Sequence, residues 1–415
     1  PAQRLLRRLA VFVGGCTLEE AESVCGPFEE LGMDVLEGLG VLVDQSLLRQ
    51  EVEDGEPRFL MLETIREFAL EGLQDDPQAH ELHRRHALVF LRLAEEAEPH
   101  LIGRGRVSWL RRLDTERDNL RAALSWAVGE PDAQTALRLG GALWRFWQMR
   151  GYLHDGVRQL EEVLALSGDF PHDRARALEA AGGLAYWSQD VEAARRYYGQ
   201  SLELLRGLGD RAAIANGLYN LSFPHMHAGE HERATALLDE AMALYRDLGD
   251  REGIAKVLWG QGSNANFAGD IQVARASLTE SLGLFRDLDR PFNLGWASFL
   301  LGTVMLSFGD PQSARAHMEE SLELFLEAED VSAFVLHLAG FGALALAEGD
   351  AERAARLAGA MSELRRTSGV ELTGPRLAYV EVMERTVQGL GYEHALEEGR
   401  DMGMEEAVAY ARKGG

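Results

Sequence analysis

Cysteine is nearly missing: the 415-residue chain has two, Cys16 and Cys25. Their spacing fits neither a CxxC redox pair nor a zinc ribbon, and two thiols make no disulfide framework. The expectation is two buried thiols in a reducing cytoplasm. Lysine is as scarce, with Lys256 and Lys413 against 40 arginines. Neither lysine follows a glycine, so there is no GxxxxGK[ST] loop to cradle phosphates. The chain itself is expected to hold no cofactor and to hydrolyse no ATP. No run approaches eighteen consecutive apolar residues, so no membrane-spanning segment is expected. Positive charge is short overall, with a formal net charge of −25, which argues against broad binding to a phosphate backbone. No Ser–His–Asp or Cys–His set has a supporting elbow or loop. The three histidines of "HMHAGEH" (His225, His227, His231) straddle a turn, and His80, His83 and His86 drift round a helix as surface residues. Neither set reads as a metal site. The start, "PAQRLLRRLAVFVGG", has helical spacing and no small-residue cleavage site, so it reads as a helix rather than a signal peptide. It begins at Pro1 rather than Met, which suggests a piece of a longer protein.

What is present is a repeat. "LGDR" stands at Leu208–Arg211 and again at Leu248–Arg251. Gly-Asp or a near relative recurs at Gln189-Asp190, Gly229-Glu230, Gly269-Asp270, Gly309-Asp310 and Gly349-Asp350. A small residue precedes each mark by seven positions (Gly182, Ser222, Gly262, Gly302, Gly342). Alanine follows by five (Ala194, Ala234, Ala274, Ala314, Ala354), and Ser201, Ala241, Ser281, Ser321 and then Met361 follow by twelve. One forty-residue period held over five copies signals a stacked array. Between marks run segments of about seventeen residues with apolar positions at helical spacing. Gly-Asp ends one helix in left-handed geometry and caps the next. Each copy is therefore a helix hairpin, and the copies stack into a solenoid.

Residues 1–75 lack this period. Helices are expected at Arg4–Val13, Leu18–Cys25 (Thr17 as N-cap) and Val35–Val43 (Asp34 as cap). Strands Leu47–Glu51 and Arg58–Leu62 follow, joined by an "EDGEP" turn, and then the helix "ETIREFALEGL". Three helices and a hairpin make a winged helix. Its net charge of −10 and its acidic, apolar third helix, "DVLEGLGVLVDQSLL", argue against reading DNA. The division expected is a winged helix over 1–75, a helical linker over 76–130, a solenoid over 131–390 and a C-terminal helical cap over 391–415. The fold class is mainly α, an α-α superhelix behind a winged helix.

The small-residue and alanine ladders resemble the tetratricopeptide repeat, in a longer version. "LLRRLAVFVGGCTLEEAESVC", "DVLEGLGVLVDQSLL", "RFLMLETIREFALEGL", "DTERDNLRAALSWA" and "EEGRDMGMEEAVAYA" together resemble the winged-helix and repeat region of bacterial STAND-class signal-transducing ATPases, including those fused to LuxR-type output domains. The resemblance spans nearly the whole chain. It implies a nucleotide-binding domain, with ATP or ADP, preceding the winged helix, and an oligomer on activation. In such proteins a Met-His-Asp motif reaches the nucleotide; the matching positions here are Met61, Leu62 and Glu63, and leucine cannot donate to a phosphate. Met61 and Leu62 are expected instead to close the strand into the core.

The resemblance also implies that the first helix of each hairpin lines a concave groove. Carried over copy by copy, this gives Arg176, Glu179, Tyr186 and Trp187; Asn216, Tyr219, Phe223, Met226 and His227; Lys256, Trp259, Asn266 and Phe267; and Trp296 and Phe299. Arg, Lys, Asn and aromatic side chains at recurring positions suit a recognition surface, with Lys256 placed to meet an acidic group. The expectation is a non-catalytic sensor and autoinhibitory module. Its repeats would bind a protein or small-molecule signal, and its winged helix would relay the event to a nucleotide-binding domain outside this chain. The alternative is a free-standing scaffold for protein partners. Nucleic acid and membrane are not expected partners.

Overall fold

The computed structural model describes residues 1–53, 55–74, 76–102, 105–327, 331–368, 372 and 374–413. The chain divides into two compact units, one of residues 1–101, 108–146 and 159–173, the other of 102–107, 147–158 and 174–415. Most of the segment read as a linker thus belongs to the first unit.

The first unit opens with α1 (Ala2–Leu9), β1 (Cys16–Thr17), α2 (Leu18–Cys25), α3 (Phe28–Leu31), α4 (Val35–Asp44), β2 (Leu48–Glu53), β3 (Glu56–Met61) and α5 (Glu63–Gln74). The strands form an antiparallel sheet in the order β1-β3-β2. This is the winged helix. Thr17 caps α2 in a reciprocal capping box with Glu20, and Asp34 caps α4, both as the sequence implies. Asp54 of the expected turn lies outside the described residues. Helix α1 stops at Leu9, short of Val13, because Gly14 and Gly15 take positive φ and the Val13 amide donates to Asn119 at 2.7 Å instead of to a helical carbonyl. The rest of the unit is drawn from α6 (Ala79–Ala97), a 3-10 turn (Glu98–Ile102), α7 (Arg106–Thr115), α8 (Arg117–Gly129), α9 (Ala133–Met149) and α10 (Leu153–Leu164), whose ends enter the second unit in part.

Within the first unit a buried polar cluster holds winged helix and helices together. Arg58 on β3 donates to the carbonyls of Gly14 and Gly15, both at 3.1 Å, and forks onto the Glu116 carboxylate. Asn119 on α8 donates to Gly15 at 3.0 Å and to Glu116 at 2.7 Å. His86 on α6 meets Asn119 Oδ1 at 3.2 Å and packs against Phe12 and Phe90. His86 is therefore core rather than surface, and burial pushes its pKa down to about 4.

The second unit is built from helix pairs: α11 (Pro171–Trp187) with α12 (Val191–Leu208), α13 (Arg211–His227) with α14 (His231–Leu248), α15 (Arg251–Phe267) with α16 (Ile271–Asp287), α17 (Pro291–Phe308) with α18 (Pro311–Glu327), and α19 (Val331–Ala347) with α20 (Ala351–Ser368). It closes with α21 (Gly374–Gln388), α22 (Glu393–Arg400) and α23 (Met404–Arg412). The period marks have distinct jobs. Gly229, Gly269, Gly309 and Gly349 hold φ between +75° and +84° at the turn, where an L side chain is strained. Asp190, Asp270, Asp310 and Asp350 each accept from the amide three residues on. The alanine ladder is fully buried. At Gly262 and Gly302 an added Cβ would meet Leu278 Cγ at 2.6 Å and Met318 Cγ at 2.9 Å, so these glycines set the closeness of each hairpin. Ser201, Ser281 and Ser321 donate to the carbonyl 26 residues earlier, at 2.9, 2.8 and 2.7 Å, tying each second helix to its first. In LGDR the glycine ends a helix (φ +73° and +67°) and the aspartate caps the next. The arginine ties the first helix of its copy to the end of the second, Arg211 to Asp247 at 2.8 Å and Arg251 to Asp287 at 3.1 Å.

Helix α17 is long and apolar enough to cross a membrane by length and composition, although Asn293, Ser298, Thr303 and Ser307 break up its apolar residues. Here it is a repeat helix, with Gly295, Ala297, Leu301, Gly302 and Val304 buried.

Candidate functional site

The expected groove positions are set by the repeat: a side chain recurs on the first helix of each pair forty residues after its counterpart. Glu179 (α11), Tyr219 (α13), Trp259 (α15) and Phe299 (α17) occupy one such register; Arg176, Asn216, Lys256 and Trp296 occupy another. Thirteen of the fifteen expected groove residues are half-buried or exposed, as lining residues must be, with Phe267 the most open at 50%. Two are not. Met226 is 2% exposed and belongs to the core. Phe299 is 9% exposed because rings cover it, His337 at a centroid distance of 4.8 Å and Tyr379 of α21 at 6.0 Å. Phe299 is therefore not open to a ligand in this structure.

The aromatic residues are contiguous. Tyr186 meets Trp187 at 5.7 Å, Phe223 at 5.9 Å and His227 at 5.2 Å; Phe223 meets Tyr219 at 5.0 Å and Trp259 at 5.8 Å; His227 meets Phe267 at 5.0 Å. These edge-on and tilted contacts suit aromatic quadrupoles. Tyr186 Oη and His227 Nε2 are 2.7 Å apart, and burial holds the His227 pKa below its ordinary value. The three histidines of the "HMHAGEH" run go to three partners. His225 Nδ1 is 2.6 Å from Glu230, His227 bonds Tyr186, and His231 Nδ1 is 3.0 Å from Asn264.

Polar residues gather at the α11–α13 step. Asn216 and Asn220 donate to Glu179 Oε1 at 3.3 and 3.4 Å. Burial lifts the Glu179 pKa to about 7, against the opposing pull of the two amides and of Arg176. Asn220 was not among the expected residues; it stands one helical turn after Asn216 on the same face, and that i, i+4 spacing was the available signal. Lys256 is not free to meet an acidic partner as expected. Its ammonium pairs with Glu252 at 3.3 Å, and Arg290 holds the same carboxylate at 2.7 Å. In the winged helix, Leu62 is 45% exposed rather than closed into the core. Glu63 is engaged by Arg66 through two bonds, at 2.6 and 2.9 Å. An apolar side chain and a neutralised carboxylate do not fit a contact with nucleotide phosphates. The exposed face of α4 carries Leu36, Glu37, Gly40 and Asp44, with no cation.

The class these features define is a winged helix joined to a tetratricopeptide-like solenoid. Comparison with known proteins agrees. Residues 1–74 match the family model of a winged helix-turn-helix domain. Proteins of Mycobacterium tuberculosis and Mycobacterium bovis named "Putative HTH-type transcriptional regulator" are 32% identical over 231 residues. That alignment takes in 52% of this chain but 25% of theirs, so the chain spans about a quarter of the length of these relatives. Among solved structures, a Rap protein complexed with Competence and Sporulation Factor superposes with a TM-score of 0.52 at 14% identity, over 81% of this chain and 94% of its own. A STAND protein with a tetratricopeptide repeat sensor from Pyrococcus horikoshii aligns over 99% of this chain and 64% of its own, at 15% identity and a TM-score of 0.48. The fold read from the sequence thus stands: a winged helix leading into a tetratricopeptide-like repeat array.

Proposed function

We propose that this chain is the signal-reading part of a nucleotide-dependent regulator, and that it is not itself a catalyst. The solenoid groove binds a polypeptide signal. The winged helix passes the change to a nucleotide-binding domain, with its ATP or ADP, that lies outside this chain. The carrying observation is a row of side chains on α11, α13 and α15: contiguous aromatic rings beside a half-buried carboxyl and two carboxamides, in repeat register. Supporting it, the Rap protein of the same fold is named as complexed with a factor, and the mycobacterial relatives are named as regulators. A bound signal can shift a switch only through unequal affinity for its two states, so groove substitutions should change signal response without touching the nucleotide. No step is assigned through Met61, Leu62 or Glu63, whose chemistry does not suit phosphates.

The test is displacement of ADP by ATP in the intact gene product, with and without its signal. Trp259→Ala should abolish the signal's effect and leave basal exchange unchanged. An unaltered signal response would remove the groove from this reading.

A further inference from the structure

Most carboxylates that bridge neighbouring copies of the solenoid meet an arginine. Glu230 takes Arg195, Glu240 takes Arg206, Glu320 takes Arg286 and Glu348 takes Arg315, while the exposed Asp239 takes the Gln261 amide. Glu179 bridges copies too, yet among the described residues its partners are two neutral amides at long range, with no ion pair. It also differs by position. The arginine-paired carboxylates serve as structural ties, whereas Glu179 shares its repeat register with Tyr219 and Trp259, one per copy, until Tyr379 covers the fourth member, Phe299. The row thus presents at one end a carboxyl with no ion pair among the described residues, Arg176 acting on it only beyond ion-pair reach, and two aromatic steps beyond it. The lysine of this row pairs with Glu252, a carboxylate it shares with Arg290.

We infer that the occupant of this groove is an extended polypeptide segment with one basic side chain, which pairs with Glu179, and apolar side chains that seat on Tyr219 and Trp259. The inference rests on the proposed function and names the ligand class of that same site. Packed helices lie about 8–10 Å apart, and an extended chain advances about 3.3 Å per residue. Side chains meeting successive copies are therefore three residues apart, so the basic residue stands three and six positions from the apolar ones. Aromatic faces beside the carboxyl accept a cation as well as an apolar chain, and the net charge of −25 draws basic segments in. Arg176 and Tyr245 are the other ionisable groups that act on this carboxyl, neither in an ion pair with it; a guanidinium or ammonium supplies that direct pair, so binding strengthens as the pH rises through the Glu179 pKa of about 7.

The experiment is selection of a random twelve-residue peptide library against the full chain and against its Glu179→Gln and Trp259→Ala variants. Enriched peptides should carry Arg or Lys with apolar residues three and six positions away. They should lose at least tenfold in affinity for Glu179→Gln, and selection on that variant should lose the basic residue and keep the apolar ones. One lost charge among the chain's excess cannot produce that change by general attraction. Enriched peptides with no basic residue, weakened by Trp259→Ala but not by Glu179→Gln, would overturn this inference and leave the groove as the site. Peptides indifferent to both variants, or no enrichment at all, would overturn the groove reading as well.

Discussion

Gln189 sits at φ +63° where Gly229, Gly269, Gly309 and Gly349 hold the same turn in later copies. A side chain in left-handed geometry costs about 1 kcal/mol relative to glycine, so Gln189→Gly should raise the melting temperature. Gly269→Ala should lower it by a similar amount, both read by thermal unfolding. Glu179 makes a second prediction at this scale. Burial raises its folded pKa from an ordinary carboxylate value to about 7. The folded state then binds the proton more tightly than the unfolded state does, so its contribution to stability is complete below the unfolded value and is lost as the pH rises through about 7. Glu179→Gln should therefore stabilise the chain relative to wild type at pH 8, with the gain shrinking towards pH 5. Parallel pH curves for the two proteins would rule this out.

Among the elements, the tightest packing is at the end of the solenoid. A Cβ on Gly359 would lie 2.1 Å from the Leu396 carbonyl oxygen, and one on Gly399 would lie 2.0 Å from that of Arg356. Backbone cannot step aside as a flexible side chain can. Gly359→Ala should loosen α22 from α20 and expose 390–413 to limited proteolysis, while the copies from α13 to α18 stay protected. In the first unit, the Arg58–Glu116 pair is buried on both sides. Removing one partner strands the other, so Arg58→Met should cost about 3–5 kcal/mol, measurable by denaturant unfolding. These elements also mark what the sequence could reveal. Turns, caps and helix lengths were legible, because Gly-Asp and the alanine ladder are local signals repeated five times. The end of α1, the strand β1, the burial of His86 and the helical segment's place in the winged-helix unit were not. They depend on Asn119 and Glu116, about a hundred residues from the loop they grip. The register of the expected groove residues was legible. The covering of Phe299 was not, because the ring that covers it comes from α21, which lies outside the period.

For the whole molecule, charge sets the range of partners. The helix that would read DNA exposes no cation, and the chain carries −25. At physiological salt its affinity for duplex DNA should be weaker than the ~10⁻⁴ M of ordinary non-specific binders, as tested by fluorescence anisotropy. DNA recognition in the intact regulator would then come from another part of the protein, and this chain would supply the decision about when to act. That account requires a nucleotide switch in the same polypeptide. The most direct test is to sequence the reading frame upstream of the codon for Pro1. The account predicts an in-frame GxxxxGK[ST] loop after a hydrophobic strand. A start codon close to Pro1, with no such loop between them, would contradict it and leave a scaffold that binds its partners without a switch to report to.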